Sequence, residues 1–221
     1  MENWSDRLRD ALRMLSKNCP RLVASCYWAG TSAISLEELN HRQSFDLDFH
    51  TSKALQDVRP LLAEMQSTLG DSFELISSPD EFGSGFRGLL RLPSGEKVTI
   101  EVLSNYENVG REDVTASTLE PALKRIVLRR YLMDKLQCLA ERAEARDLVD
   151  VQAVLQSHPE LLDIARQRVE SLDALTIAER LLAWTDDAIR KDLLAYEDVD
   201  PAAAMEMRGT LLAWLKEGHN R

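Results

Sequence analysis

The chain is short of the residues that staple a fold or bind soft metals. Its 221 residues include three cysteines, Cys19, Cys26 and Cys138, scattered and odd in number. No Cys-x-x-Cys spacing occurs, so neither a zinc site nor a disulfide framework is indicated, and buried, inert thiols are expected. The four histidines are equally dispersed. His41 and His50 flank an acidic segment, but imidazole is a poor partner for a hard cation such as Mg²⁺. No apolar run approaches the roughly 20 residues a membrane span needs. The N-terminus, Met1-Glu2-Asn3-Trp4-Ser5-Asp6, is polar and acidic with no secretory apolar region, so a cytoplasmic location is expected. There is no internal repeat, low-complexity tract or long linker. Positive charge is also scarce. Lys and Arg total 27 against 37 Asp and Glu, a net charge of −10, which argues against nonspecific coating of nucleic acid. One local basic stretch stands out: Lys124, Arg125, Arg129, Arg130, Lys135, Arg142 and Arg146.

What remains is ordinary for a soluble globular protein, with 44% hydrophobic and 29% charged residues, and is long enough for one large domain or two small ones. Trp4, Leu8, Ala11, Leu12 and Leu15 fall near helical spacing and predict an amphipathic helix over 3–17, ended by Pro20. Leu22 to Trp28 reads as a short buried strand. Gly30 breaks it, and Thr31 is placed to cap a helix to about Asn40. A strand over 44–50 follows, then a helix from Lys53 to Thr68, kinked near Pro60. Ser72 to Ile76 reads as a strand. Phe86–Leu92 and Lys97–Leu103, joined by Pro93-Ser94-Gly95, read as a hairpin. From about Arg111 the pattern is helical apart from a short extended segment near Ile126–Leu128, with Leu132, Leu136, Leu139 and Ala143 on one face. Acid gathers late in the chain, at Asp186, Asp187, Asp192, Glu197, Asp198 and Asp200.

The chemistry is concentrated in Ser44-Phe45-Asp46-Leu47-Asp48-Phe49. In a strand residues i and i+2 share one face, so Asp46 and Asp48 project together, and Phe45, Leu47 and Phe49 take the other side. Two adjacent carboxylates repel each other and lose hydration, a conflict that a cation between them removes. Hard divalent cations such as Mg²⁺ prefer oxygen and share their shell with substrate phosphates. Glu101 is an acid inside the hydrophobic run Val98–Leu103; a buried carboxylate needs a partner or a metal, which makes it a candidate third ligand. Upstream, Gly30-Thr31 offers backbone N–H groups at a helix start, a natural phosphate cradle. Three acids can serve two ions, one activating the attacking oxygen and one organising a triphosphate.

These segments resemble a known family. Trp28-Ala29-Gly30-Thr31-Ser32-Ala33, then His41-Arg42-Gln43-Ser44-Phe45-Asp46-Leu47-Asp48-Phe49, is similar to the nucleotidyltransferase-like AbiEii/AbiGii toxins of the DNA polymerase β-like superfamily. Their pattern is a Gly-Gly/Ser-Thr turn followed by Arg-x-Ser-x-Asp-Leu-Asp-Phe. Lys135-Leu136-Gln137-Cys138-Leu139-Ala140-Glu141-Arg142, then Arg146-Asp147-Leu148-Val149-Asp150, matches the family's Lys-Leu-x-x-Leu-x-x-Arg and Arg-Asp-x-x-Asp. The resemblance spans about residues 21–155. It departs at Ala29, where a glycine is usual, and at Glu101, where Asp is frequent; the extra methylene moves the carboxylate by about a bond length.

The resemblance implies an α+β fold: a polymerase β-like nucleotidyltransferase domain, a mixed sheet with flanking helices, followed by a helical C-terminal domain. The catalytic core is expected over 1–120, and a helical domain over 121–221 contributes Lys135 and Asp147. Carried over by position, Gly30 and Thr31 bind the triphosphate and Asp46 and Asp48 hold magnesium. Lys135 contacts the nucleotide phosphates and Asp147 is a further acid of the site. Arg42 and Ser44 support the acidic strand, with Arg146 and Asp150 in support of the later motif. The implied activity is transfer of NMP from an NTP to an RNA acceptor, with the tRNA 3′ end as one such acceptor. The implied setting is a toxin–antitoxin or abortive-infection system with a cognate antitoxin. Two alternatives stand beside it: nucleotidylation of a protein hydroxyl, and a catalytically degenerate module that binds a nucleotide or a partner.

Overall fold

The computed structural model describes residues 4–142, 144–172, 174–197 and 199–218; Asn3, Ala143 and Asp198 of the sequence patterns above lie outside them. The chain forms two compact units, Met1–Val127 and Leu128–Arg221.

The first unit contains α1 (Trp4–Asn18), α2 (Pro20–Ser25), β1 (Cys26–Ala29), α3 (Gly30–Ile34), β2 (Asp46–Ala54), α4 (Arg59–Leu69), β3 (Phe73–Ser77), β4 (Gly85–Arg91), β5 (Lys97–Asn105), β6 (Val114–Ala116) and β7 (Lys124–Ile126). Its seven strands form one mixed sheet in the order β3-β4-β5-β2-β1-β7-β6. β2 runs parallel to β5 and antiparallel to β1, while β4 runs antiparallel to β5. Alternation sets the two faces. Leu47, Phe49 and Thr51 of β2 and Val98, Ile100 and Val102 of β5 are buried. Leu8, Ala11, Leu12 and Leu15 of α1, at helical spacing, are also buried. Asp46, Asp48, Thr99 and Glu101 take the other face and are half-buried.

Several boundaries differ from the sequence reading, each for a physical reason. Pro20 opens a helix, because proline needs no hydrogen-bond partner at the first position. The next two free N–H groups, of Arg21 and Leu22, donate to the Glu64 carboxylate of α4 at 2.9 and 3.0 Å. Val23 and Ala24 are therefore helical, and the strand shrinks to Cys26–Ala29. Pro60 likewise stands in the first turn of α4 and does not kink its middle. The residues before it continue β2 to Ala54. Thr31 is not a cap: Ala29 takes that position without a side-chain bond, and Thr31 lies in the first turn. α3 runs on as a π-helical turn over Ser35–Leu39 and ends on Asn40 in the left-handed region.

The stretch after Arg111 is the largest departure, since it supplies β6 and not helix, and the expected extended segment near 126–128 falls two residues earlier, as β7. Long-range bonds hold it. Glu37 of the π-turn, whose side chain is fully buried, accepts from Arg125 Nε at 2.6 Å, from the Ser117 hydroxyl and from the N–H groups of Thr118 and Leu119. Arg125 also reaches Glu38 at 2.5 Å and donates to the Ile126 carbonyl at 2.8 Å. β7 thereby pairs in parallel with β1, Trp28 opposite Arg125. A boundary at residue 120 would separate this strand from its sheet.

The second unit is helical: α5 (Leu128–Glu141), α6 (Ala145–Ser157), α7 (Leu162–Ser171), α8 (Ala174–Ala183), α9 (Asp186–Asp192) and α10 (Pro201–Gly218). α6 packs against both α5 and α10. Leu132, Leu136, Leu139, Leu148, Val151, Val154, Ala204, Met207 and Leu211 are among its buried side chains. Among the described residues no helix is long and apolar enough to cross a membrane.

Burial disfavours the charged form of Glu37, but hydrogen bonds from Ser117, Thr118 and Leu119 and the Arg125 charge outweigh it and hold its pKa below the ordinary carboxylate value. A depressed pKa contributes stability above the unfolded carboxylate range near ~4.3, and that contribution is lost as pH falls through the folded value. Glu37→Ala, which strands Arg125, is expected to lower stability at pH 7 by about 3 kcal/mol. Glu37→Gln is expected to flatten the acid limb of a urea-midpoint profile below pH ~4.3. Profiles that superimpose on wild type would show that Glu37 is not the hub.

Candidate active site

β1 and β2 bring the glycine turn onto the acidic strand. Their register pairs Ala29 with Asp48, so Gly30 follows β1 directly beside the second acid. Gly30 has φ of +71°, and a Cβ there would stand 2.2 Å from Asp48 Oδ2. Only glycine permits both the backbone turn and the approach of the carboxylate. Thr31, buried beside it, accepts a hydrogen bond from Arg42 Nη2 at 2.7 Å. Arg42 is itself buried; it donates to the Gln43 carbonyl at 3.1 Å, and its own carbonyl accepts from Ser35 Oγ at 2.5 Å. Trp28 Nε1 donates to Ser32 Oγ at 3.0 Å. The turn is thus tied to its surroundings on both sides.

Ser44 Oγ donates to Asp46 Oδ1 at 3.0 Å and is buried. This bond fixes the first acid where β2 begins. β2 starts at Asp46, later than expected, and Phe45 does not join Leu47 and Phe49 in the core but remains 46% exposed. On the next strand Glu101 pairs in register with Asp48, and Thr99 with Asp46. Asp46, Asp48 and Glu101 therefore share one face on adjacent strands about 4.8 Å apart. Glu101 has no hydrogen-bond or ion-pair partner among the described residues. His50 lies two residues beyond Asp48 on that face, its ring edge-on to Tyr27 at 5.8 Å.

The donor set is all oxygen, which suits a hard divalent ion. No group of three acids, histidines or cysteines among the described residues is gathered into a closed metal site. An ion held by Asp46 and Asp48 would therefore need ligands from outside the protein, as ions shared with substrate phosphates do. The cysteines are not rival nucleophiles. Burial, with the Glu64 charge behind it, pushes Cys26 up to about 12, and burial with the nearby Asp147 charge pushes Cys138 up to about 11. Cys19 is raised mainly by burial. None is a thiolate at neutral pH.

The helical unit carries the later motif as a buried ionic clasp. Lys135 of α5 lies between two carboxylates of α6, with Nζ 3.0 Å from Asp147 Oδ1 and 2.8 Å from Asp150 Oδ2. Both carboxylates are fully buried, and Lys135 is 7% exposed. Its ammonium also lies 5.4 Å from the Tyr131 ring centroid. Arg142 makes a two-pronged contact with Asp147, from Nε at 2.9 Å and from Nη2 at 2.9 Å. Burial opposes the guanidinium charge, but the Asp147 hydrogen bonds and charge more than offset it and raise the Arg142 pKa. Arg146 turns away to Glu144 at 2.7 Å and to the Tyr196 hydroxyl at 3.0 Å.

The predicted basic stretch therefore dissolves as a patch. Arg125, Arg130, Lys135, Arg142 and Arg146 each have a specific carboxylate, Arg130 through Asp134 at 2.8 Å. Only Lys124 and Arg129 of that stretch are exposed with no partner among the described residues. Sequence reasoning missed Arg87 of β4, which stands opposite Glu101 in the sheet register and is exposed. Counting the hairpin register back from Pro93-Ser94-Gly95 was the available signal.

Comparison with known proteins supplies the context for this geometry. The family model described as Nucleotidyl transferase AbiEii toxin, Type IV TA system, matches residues 29–213. Among solved structures, a candidate nucleotidyltransferase of Helicobacter pylori is 21% identical over 95% of this chain and 96% of its own, with a TM-score of 0.58. JHP933 of Helicobacter pylori is 21% identical over 96% of this chain and 94% of its own, at 0.57. MenT4, a nucleotidyltransferase toxin of Mycobacterium tuberculosis H37Rv, is 15% identical over 96% of this chain and 84% of its own, at 0.49. The two Helicobacter structures share the fold. None of the curated proteins matches the sequence.

Two substitutions separate the roles of these groups. Gly30→Ala drives a methyl into Asp48 and is expected to reduce turnover about 100-fold, the scale of a 1 Å misplacement at a reacting centre, while the strain of alanine at positive φ lowers the thermal midpoint by only a few degrees, roughly the effect of 1–2 kcal/mol. Wild-type turnover in Gly30→Ala would remove the turn from the site. Lys135→Ala removes the ammonium that Asp147 and Asp150, both buried, share and is expected to cost about 3–5 kcal/mol, seen as a fall of roughly 10 °C in Tm. An unchanged Tm would contradict the clasp.

Proposed function

The chain belongs to the nucleotidyl transferase AbiEii toxin family of type IV toxin–antitoxin systems, and from that footing we propose that this nucleotidyltransferase moves NMP from an NTP onto an RNA hydroxyl, with the tRNA 3′ end as the first acceptor to examine. The observation that carries the reading is the approach of Asp48 Oδ2 to the bare Cα of Gly30. It supports the reading because it brings the proposed phosphate-binding turn beside the proposed metal-binding acid, a juxtaposition suited to triphosphate chemistry.

The residues divide the work. The N–H groups of the Gly30-Thr31 turn receive phosphate oxygens, and Arg42 holds Thr31 in place. Asp46 and Asp48 are the proposed holders of a divalent cation, Mg²⁺ by preference for oxygen ligands, and Ser44 orients Asp46. When bound, such an ion neutralises phosphate charge and lowers the pKa of an attacking hydroxyl. Glu101, unpartnered on the adjacent strand, is the proposed third acid and the group that takes the acceptor proton. The acceptor oxygen forms a bond to the α-phosphorus, the α–β bridging P–O bond breaks, and pyrophosphate leaves with its electrons. Catalysis of this kind is positioning and electrostatic stabilisation. Lys135 and Asp147 keep their proposed roles toward the nucleotide phosphates on the strength of their motif, with Arg146 and Asp150 in support. A cognate antitoxin is the proposed protein partner.

One observation favours a second reading. The basic stretch expected to meet RNA is largely neutralised by its own carboxylates, and a protein hydroxyl needs no such patch. The deciding experiment incubates the purified protein with each labelled NTP, Mg²⁺, total RNA and lysate protein. An RNA band lost on Asp46→Ala or Asp48→Ala is the expected result. Label on protein alone would select the second reading. Absence of label with every NTP would mean a module that binds without transferring.

A further inference from the structure

The sheet face that carries the acids continues beyond them onto β4, and its character changes there. The register across the sheet sets Ala29, Asp48, Glu101 and Arg87 in one row. The row two residues nearer the start of β5 holds Asp46, Thr99 and Leu89, and the next holds Lys97 opposite Arg91. Phe86, Leu90, Val98, Ile100 and Val102 are buried on the reverse face. Arg87, Arg91 and Lys97 are exposed on the face of the acids.

The chain's net charge is −10, and although Glu101 stands opposite Arg87 in the sheet register, the two side chains form no ion pair. Arg87 and Arg91 have no hydrogen-bond or ion-pair partner among the described residues. Lys97 touches Glu74 at 3.2 Å, but both side chains are largely in solvent, where such a pair is weak and exchangeable. Arg87 and Arg91, four residues apart on one strand, are separated by about 13 Å, which spans a few successive phosphates of a single strand. Leu89 and Thr99, half-buried, lie between them as a low platform.

Position decides which phosphates these are. The Gly30-Thr31 turn adjoins Asp48 on its β1 side. Arg87 lies on the opposite side of the acids, beyond Glu101. An in-line displacement brings the attacking oxygen and the leaving group to opposite sides of the reacting phosphorus. If the turn receives the triphosphate, the β4 side is left for the acceptor. We propose that Arg87, Arg91 and Lys97 form the acceptor subsite, a cationic strip that holds the sugar–phosphate backbone of an RNA strand next to its reacting hydroxyl. This rests on the RNA-acceptor reading above. The strip contributes phosphate contacts and not base contacts, so it positions the acceptor without reading its sequence.

The test compares wild type, Arg87→Ala/Arg91→Ala and Arg87→Lys/Arg91→Lys. Readouts are KM for RNA at saturating NTP, the dependence of RNA affinity on salt, and Kd for the NTP alone. The alanine pair is expected to raise the RNA KM about tenfold and to reduce the log–log salt slope by about 0.7 per cation removed. The lysine pair should recover most of both, and the NTP Kd should stay put. RNA still labelled with unchanged KM and slope overturns the strip while leaving the RNA reading intact. A weakened NTP Kd with unchanged RNA KM reassigns the strip to the nucleotide and also overturns it. Label found only on protein in wild type overturns both at once.

Discussion

Asp48 can lie against residue 30 only because residue 30 has no side chain. A Cβ would meet its carboxylate at 2.2 Å, and the backbone there has φ of +71°. Much of the first unit can be traced from that contact. β1 must end at Ala29 and pair with β2 so that Ala29 opposes Asp48. The same β2, paired in parallel with β5, then sets Glu101 beside Asp48. Ala29, where the family pattern has glycine, is tolerated because it is the last residue of a strand in extended conformation and needs no unusual dihedral. The second position of the turn carries the positive φ, and there glycine is retained.

The first and third acids differ in how they are held on this face. Ser44 takes one oxygen of Asp46, the face is half-open to water, and no cation of the described residues is paired with Glu101. A strong internal partner would have quenched the charge that a divalent ion needs. The protein treats its other buried acids in the opposite way. Glu37 is saturated by Arg125 and by N–H and hydroxyl donors, and Asp147 by Lys135 and Arg142. Saturated carboxylates such as Glu37 and Asp147 hold structure together, whereas a carboxylate without a side-chain partner, as Glu101 is among the described residues, keeps its charge for a ligand.

Local signals in the sequence were enough for the acid strand, the turn, the hairpin and α1, because period-2 and period-3.6 patterns and turn residues are set by neighbours a few positions away. Arg42 and Ser44 were legible as companions of the strand through the motif, although their bonds to Thr31 and Asp46 appear only in three dimensions. What escaped depends on distant partners. Pro20 and Pro60 both read as breaks, yet each sits where a helix starts, and the free N–H groups after Pro20 are met by Glu64 from far along the chain. β6 is too short for periodicity to announce, β7 reads in the sequence only as a short extended segment placed two residues late, and both exist through Glu37 and β1. The basic stretch looked like a surface because sequence shows charges but not their partners. Arg87 escaped because its meaning lies in register.

The later motif shows how one spacing serves two purposes. Asp147 and Asp150 are three residues apart on α6, so they share a helix face and can grip one ammonium from α5. Arg142, at the end of the preceding element, closes the same carboxylate from the other side. Lys-Leu-x-x-Leu-x-x-Arg followed by Arg-Asp-x-x-Asp is therefore a self-sufficient folding device: leucines bury one face of α5, and two cations meet two buried carboxylates on α6. Such a network is costly to leave half-made, because each missing partner strands a buried charge. That cost alone constrains the four residues to occur together, whatever else they do, and it means that loss of activity in any one of them measures catalysis only where the helical unit has been shown to stay folded.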